Sequence, residues 1–582
     1  MTGAQFDPTS EQQQIICQDG SLFVTACPGA GKTRVMVARA HRIFTKMPIG
    51  NGIAFLSFTR TAVSELETCL RRHSLVPSPV FPNFIGTFDS FVWQFLVVPF
   101  GLPGSDMRPR LIPDMNDWKV SPYDGARPLP LSCFSRSSGA IDEVAAKRLG
   151  FDTSEKTKTT LQSYSTAANR LRTRLREQGI LGFDEARAVA LERIDDSMWS
   201  SRIAAALSAR FCEAIIDEAQ DCNPDDLRII SWIRDAGIPT KVICDPHQSI
   251  YAFRGGITDQ LFAFKENYKE HERKSLQGNF RSSQNICKAI AMMRPPPDQH
   301  QADEPLGQFK DINYPVHILS YRGTAVPSSI GATFSELVQN IDEDISGCPV
   351  LAATKLSGAA AVGQQRGRGK EDATFRLAQA VMAFHFPSGF DDVRFAIEEA
   401  HRVILEIENV LSTSSYHKYL SDNDIKPESW RPKVIQILRE LRFDPAAFHD
   451  ARFWHNHAKP IIERNVKTTD RILINQKLKW NVGIETILLK APTGGAMART
   501  IHSVKGLEFA AVCVVTTPGT LTGVLDYLEN GSPHDHAEDA RVLYVAASRA
   551  QKLLVFASPK SQANRFSSHL RKQGAKVILT EI

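Results

Sequence analysis

The sequence predicts an α/β protein with two domains, each built on a parallel sheet and each interrupted by a mainly helical insertion. Three observations lead to this. Short apolar runs bounded by polar, Gly-bearing turns recur in two blocks and alternate with amphipathic stretches, the pattern of parallel sheets covered on both faces. The run at residues 21–25 leads directly into Ala26-Cys-Pro-Gly-Ala-Gly-Lys-Thr33, a strand, phosphate loop and helix start. The run at 211–216 ends in Asp217-Glu-Ala-Gln-Asp221, so paired carboxylates stand at the C-terminal end of a buried strand.

The first block holds predicted strands at 22–26, 53–57, 84–87, 212–217 and 242–245, and the second at 316–321, 350–354, 511–515 and 553–557. The first domain is therefore expected at 1–96 and 206–284 with an insertion at 97–205. The second is expected at 285–375 and 496–582, interrupted at 376–495. The first insertion is Pro-rich, then helical and basic, with Lys156, Lys158, Arg170, Arg172, Arg174 and Arg176 close together. The second contains a long amphipathic helix that aligns Val393, Ile397, Ala400, Ile404, Ile407 and Leu411 on one face. Residues 358–370 read as a flexible basic loop.

The phosphate loop carries its own chemistry. Gly29 and Gly31 let the backbone turn its N–H groups toward phosphate oxygens, Lys32 reaches the β- and γ-phosphates, and the Thr33 hydroxyl can ligate Mg²⁺. Ala26 stands at the loop's first position, where glycine is usual. The acidic pair supplies what remains, with Asp217 for the Mg²⁺ shell and Glu218 to orient and deprotonate a water. An acidic helix cap after a strand is the other reading of 217–221, and the phosphate loop upstream outweighs it.

The bulk numbers are those of a multidomain globular chain: 582 residues, 42% hydrophobic and 23% charged. A net charge of +5 permits nucleic acid without demanding it. The ten cysteines show no Cys-x-x-Cys and no zinc spacing, which gives no support to a zinc or iron–sulfur site and fits reduced thiols. Residues 1–8 have neither a basic n-region nor an apolar core, and no apolar run approaches 18 residues. A cytoplasmic protein without membrane contact is expected.

Further motifs follow in a fixed order. Gln12 lies in Pro8-Thr-Ser-Glu-Gln-Gln-Gln-Ile-Ile16; then come Asp245-Pro-His-Gln-Ser-Ile-Tyr-Ala-Phe-Arg-Gly255 and Gln277-Gly-Asn-Phe-Arg-Ser-Ser283. Thr500-Ile-His-Ser-Val-Lys-Gly-Leu-Glu-Phe509 and Glu538-Asp-Ala-Arg-Val-Leu-Tyr-Val-Ala-Ala-Ser-Arg-Ala550 close the set. Together they resemble the UvrD/Rep/PcrA group of superfamily 1 helicases over nearly the whole chain except the two insertions.

The resemblance implies two RecA-like P-loop NTPase domains with ATP and Mg²⁺ in the cleft between them, single-stranded DNA across their top, and 3′-to-5′ movement. By position, Gln12 and Arg34 would hold the adenine and Phe280 would stack on it, while Ala26, Pro28, Gly29, Ala30, Gly31, Lys32 and Thr33 form the phosphate loop. Glu508 would bond the ribose, Gln248 would sense the γ-phosphate, and Arg281 and Arg549 would act as arginine fingers. On the nucleic-acid side, Phe58, Tyr251, Phe253 and His502 would stack on or wedge between bases, and Thr59, Thr87 and Arg254 would touch the backbone or the rim.

The chain departs from the family pattern at Arg60, where a Lys-bearing motif is usual, at Asp89 in place of His, and at Phe253 in place of Trp. The second insertion, about 120 residues, is shorter than in full-length members, and about 30 residues follow the last motif, too few for a fused nuclease. The expected function is an ATP-dependent 3′-to-5′ DNA helicase or translocase acting on single strands and single-strand/duplex junctions. The alternative is an ATP- or DNA-end-sensing subunit of a defence or repair complex, beside a nuclease or other effector, with weak or no unwinding of its own. Gabija is one defence system in which compact relatives occur. A P-loop transporter or kinase would leave the Gln-Ser-Ile-Tyr and His-Ser-x-Lys-Gly motifs unexplained.

Overall fold

The computed structural model describes residues 7–46, 51–76, 80–112, 115–136, 138–250, 258–300, 302–363, 372–386, 390–411, 416, 419–420, 423–444, 447–448, 450–467, 471–488 and 496–582. The chain divides into two compact units. One joins Met1–Pro103, Ala186–Gln364 and Gly494–Ile582; the other joins Gly104–Glu185 and Gln365–Thr493.

The first unit contains two six-stranded sheets. The strands of the first are β1 (Leu22–Ala26), β2 (Gly52–Ser57), β3 (Phe84–Thr87), β4 (Phe211–Ile216), β5 (Thr240–Cys244) and β6 (Arg273–Leu276), in the spatial order β6-β1-β5-β4-β2-β3. Every pairing is parallel. Because the side-chain period is two, Leu22 and Val24 face helices α1 (Ser10–Cys17) and α2 (Lys32–Lys46) together with Ile15 and Val35, while Phe23 turns the other way onto Phe264 and Tyr268. Both faces are therefore covered, and β2 is buried along its whole length.

The second sheet comprises β7 (Val316–Tyr321), β8 (Val350–Ala352), β9 (Ala498–Thr500), β10 (Phe509–Val515), β11 (Ala550–Pro559) and β12 (Val577–Glu581), ordered β9-β8-β10-β11-β7-β12 and again wholly parallel. Ile318, Val512, Val514 and Phe556 pack on one face with Leu525 and Tyr544; Leu319, Cys513 and Val555 pack on the other with Phe334.

Residues 97–103 and 186–205, which the sequence places in the insertion, group instead with the first unit. Arg193 donates to the Phe100 carbonyl at 2.8 Å and lies over the Trp199 ring, and Phe95 packs edge-on against Phe211. Arg187 pairs with the buried Asp226 at 2.7 Å and Trp232 Nε1 donates to Ser200 Oγ at 2.8 Å, which ties the later segment to the helix Pro224–Asp235 beside the first sheet.

The second unit has two cores. In residues 104–185, helix Lys158–Glu177 buries Tyr164, Ala168, Leu171 and Leu175 against Trp118, Leu131 and Phe134. Arg172 of the basic stretch turns inward: it pairs with Glu185 at 3.1 Å and donates to the carbonyls of Leu131, Phe134 and Ser135. The later segment is helical, with Leu377, Val381, Ala400, Ile404, Ile437 and Trp454 in one core. Residues 358–361 finish a helix, Lys355–Ala361, rather than open a loop, and 364–370 lie outside the described residues. Among the described residues no helix is long and apolar enough to cross a membrane.

Candidate functional site

The loop after β1 is built as a phosphate cradle. Ala26 closes the strand, Pro28 and Ala30 are buried, and Gly29 and Gly31 adopt φ of +71° and +75°, which L-residues other than glycine rarely take. Space also demands glycine, since a Cβ on Gly29 would stand 2.6 Å from the Arg281 Cβ and 2.7 Å from Asn279 Oδ1. Lys32 and Thr33 open α2, whose N-terminal N–H groups and dipole favour an anion. Gln12 is buried beside the loop. Its Nε2 donates to the Ala30 carbonyl at 3.0 Å while its Oε1 accepts from the Thr9 N–H of the α1 capping box. The Phe280 N–H donates to the Gly29 carbonyl at 2.8 Å, and Arg34 is exposed.

Asp217 and Glu218 follow β4, beside the loop. Glu218 is held at φ +58°, ψ +36°, a left-handed conformation uncommon for a branched or long side chain and often found where structure over-determines a functional position. Its Oε1 accepts from Lys32 Nζ at 3.2 Å, and its Oε2 accepts from Gln220 Nε2. Burial disfavours the Glu218 charge, yet Lys32 and then Lys505 outweigh it and hold the carboxyl below its usual range. Burial likewise opposes the Lys32 charge, and Glu218, Asp217 and Asp245 reverse that and raise it.

Asp217 behaves differently. Burial pushes its carboxyl up against the pull of Lys32. Its Oδ1 is buried without a hydrogen-bond partner. A buried orphan carboxylate oxygen within reach of the Lys32 charge, together with the hydroxyl of Thr33 at the start of α2, supplies oxygen donors of the kind a hard divalent cation takes, so these residues fit Mg²⁺.

Side chains borne by the second sheet complete the arrangement. Arg549, between helix α3 (Ala537–Ala547) and β11, is buried and donates to Gln248 Oε1 at 2.5 Å. Burial, then the neighbouring Arg281, holds Arg549 below the ordinary arginine value, the mark of a desolvated cation able to gain from an incoming anion. Arg281 pairs with Glu508 at 2.7 Å and donates to the Ser548 carbonyl. Gln248 Nε2 in turn donates to Asp245 Oδ2 at 2.7 Å. The groups assigned to phosphate and ribose thus bond one another.

Sequence reasoning missed three participants: Asp221, whose carboxylate receives Lys505; Asp245; and Tyr544. All lie inside quoted motifs, and a buried ionisable residue in such a motif was the available signal.

Among the nucleic-acid candidates, the Phe58 ring stacks on Phe88 at 5.3 Å, and Ser57 of β2 lies in register beside Thr87 of β3. Thr59 and Thr87 both cap helices, accepting from the N–H groups of Ala62 and Ser90 at 3.2 Å. His502 lies half-buried on the 3₁₀ turn Ile501–Val504. Tyr251, Phe253 and Arg254 lie outside the described residues. Asp89 has a structural partner, because Arg187 bridges it to the buried Asp226. All ten cysteines are free thiols, and among the described residues no group of three or more His, Cys, Asp or Glu could hold a metal ion.

Comparison with known proteins agrees with this geometry. Residues 8–269 match the family model of the UvrD/REP helicase N-terminal domain, and residues 497–561 match that of the UvrD-like helicase C-terminal domain. The chain is similar to YjcD of Bacillus subtilis, named as a proposed ATP-dependent DNA helicase, at 23% identity over 97% of this chain and 80% of the relative. It is similar to the ATP-dependent DNA helicase PcrA of Staphylococcus epidermidis at 20% identity, over 97% of this chain and 86% of that protein. The Gabija protein GajB of Bacillus cereus is 25% identical over 47% of each chain.

Proposed function

The chain belongs to the UvrD/REP helicase family, and from that premise we propose that it hydrolyses ATP to move 3′ to 5′ along single-stranded DNA and to part duplex strands. The observation that carries this reading is the bonded set Lys32–Glu218, Gln248–Arg549 and Arg281–Glu508, which gathers cations and a carboxylate base around one phosphate loop.

ATP entering the loop exchanges protein partners for phosphate. Lys32 leaves Glu218 for the β/γ-phosphates, and Glu218, freed, takes the proton of the attacking water. Mg²⁺ held by Thr33 and Asp217 would supply neutralisation of charge on the β/γ oxygens. Gln248 meets the γ-phosphate, Glu508 turns to the ribose, and Arg281 and Arg549 offset the charge developing in transfer. Gln12, Arg34 and Phe280 hold the base.

Phe58, His502, Tyr251 and Phe253 form the stacking set for single-stranded DNA, with Thr59, Thr87 and Arg254 at its rim; stacking contributes about 1–3 kcal/mol per base and reads no sequence. A second reading, a subunit working beside a nuclease or other effector, draws support from the similarity to GajB. Strand displacement from 3′-tailed and 5′-tailed duplexes tests both. Displacement from the 3′ tail alone supports the helicase; DNA-stimulated turnover without displacement supports the partner-dependent subunit.

A further inference from the structure

We infer that Tyr544 is a positioning residue for γ-phosphate recognition: through the Asp245 carboxylate it fixes which end of the Gln248 amide faces which neighbour. The inference rests on the proposed role of Gln248 at an ATP site.

A glutamine amide has chemically opposite ends, a donor Nε2 and an acceptor Oε1. Gln248 is buried, and each end meets a group of matching sign. Nε2 donates to Asp245 Oδ2 at 2.7 Å and Oε1 accepts from Arg549 Nη2 at 2.5 Å. A flipped amide would set oxygen against carboxylate and NH₂ against guanidinium, so the orientation is as secure as the placement of Asp245 and Arg549.

Asp245 is itself held from two sides. Its Oδ1 accepts the His247 N–H at 3.0 Å, and its Oδ2, the oxygen that serves Gln248, also receives the Tyr544 hydroxyl across 3.4 Å. Tyr544 is wholly buried, with the His247 ring edge-on at 5.7 Å and the Arg294 guanidinium 5.8 Å from its ring centre. Arg294 is anchored by an ion pair with the buried Asp303. Burial first, then the Asp245 charge, raises the Tyr544 phenol far above its ordinary value, so the hydroxyl stays protonated and can only donate to the carboxylate.

Tyr544 lies in α3, and Arg549 follows it by five residues. Helix α3 and the turn that follows it thus pin both ends of Gln248, directly at Oε1 and through Asp245 at Nε2. Movement of that segment relative to the Asp245–Gln248 turn alters both pins together, which makes Gln248 report the state of the cleft as well as the γ-phosphate.

The test is nucleotide binding, which needs no turnover. Affinities for ADP and for the non-hydrolysable analogue AMP-PNP are measured with Mg²⁺ by calorimetry on the wild-type chain, Tyr544→Phe, Gln248→Ala and Tyr321→Phe. Tyr321→Phe is the matched control, since it deletes another buried tyrosine hydroxyl of the second sheet, one bonded to the Thr516 carbonyl at 2.7 Å. Tyr544→Phe should lower the preference for AMP-PNP over ADP by roughly 3–10-fold while ADP affinity moves less than about twofold and the unfolding midpoint matches that of Tyr321→Phe. An unchanged preference in Tyr544→Phe, or an equal loss in Tyr321→Phe, overturns the inference. If Gln248→Ala abolishes the preference and Tyr544→Phe does not, the ATP-site reading stands and the inference falls. If the wild-type chain binds neither nucleotide, both fall.

Discussion

Lys505 Nζ lies 2.6 Å and 2.8 Å from the two carboxylate oxygens of Asp221, and both side chains are buried. The same ammonium donates to the Gln248 carbonyl at 3.2 Å. Asp221 follows β4 of the first sheet and Lys505 precedes β10 of the second, so this pair joins the two sheets beside Gln248. Its Coulomb gain is offset by desolvating two charges, and removing one partner strands the other in the interior. The pair therefore acts as a latch between sheets more than as a source of net stability.

Lys505→Met should destabilise the first unit by about 3–5 kcal/mol because the buried Asp221 carboxylate loses its ammonium counter-charge. The double variant Lys505→Met/Asp221→Leu should recover most of that loss. Denaturant unfolding of both singles and the double measures it; a double variant as unstable as the sum of the singles would contradict the latch.

Glu218→Gln keeps the side chain's shape and removes its proton-accepting charge. Turnover should fall by about 10²–10⁴-fold with ATP affinity retained. Asp217→Asn should instead weaken Mg²⁺ binding, visible as a raised metal requirement in the same assay. Equal losses of nucleotide binding in both variants would contradict the division of roles.

Gly29→Ala places a Cβ against Arg281 and Asn279 at a backbone angle that L-residues resist. Strain alone is worth about 1–2 kcal/mol, and the loop must shift to relieve it. Nucleotide affinity should drop at least about tenfold, whereas Gly323→Ala, at φ +81° with open space around it, should lose a similar amount of stability but no affinity.

In the second unit His401 stacks on Trp430 with ring centres 3.9 Å apart, and its Nδ1 meets the Tyr416 hydroxyl at 2.9 Å. Burial, then Lys467, lowers its pKa from the ordinary 6.5 to about 4. The unfolded chain binds a proton in that interval that the folded chain refuses, so this stability is fully present above pH 6.5 and is lost as pH falls toward 4. The unfolding midpoint of the second unit should drop between pH 7 and pH 5, and His401→Gln should flatten that slope. His455, also lowered by burial, leaves a remainder.

Much of this was legible in the sequence because the informative residues are constrained twice. Buried central strands such as β2, β4 and β10 read as apolar runs, and the glycines of the phosphate loop are required by both φ and space. Of the edge strands, β3 was legible but three were not: β6 (Arg-Lys-Ser-Leu) and β9 (Ala-Arg-Thr) look polar because one side of each lies open, and β12 exposes Ile578 and Leu579. The insertion boundary at 186 was hidden because helical periodicity continues across it; tertiary contacts such as Arg187–Asp226 and Ser200–Trp232 assign the segment. Asp89 could be seen as a departure from the family pattern, but its reason, Arg187 nearly a hundred residues away, is a tertiary fact. The Tyr544–Asp245–Gln248 link is of the same kind, assembled from motifs some 300 residues apart.

The most direct test of the central claim is the ATP hydrolysis rate of the full chain with and without single-stranded DNA, with Glu218→Gln as the inactive control. The structure predicts turnover that rises with added single strand and disappears in the control. Turnover indifferent to DNA, or persisting in Glu218→Gln, would contradict a DNA-driven motor built on this site.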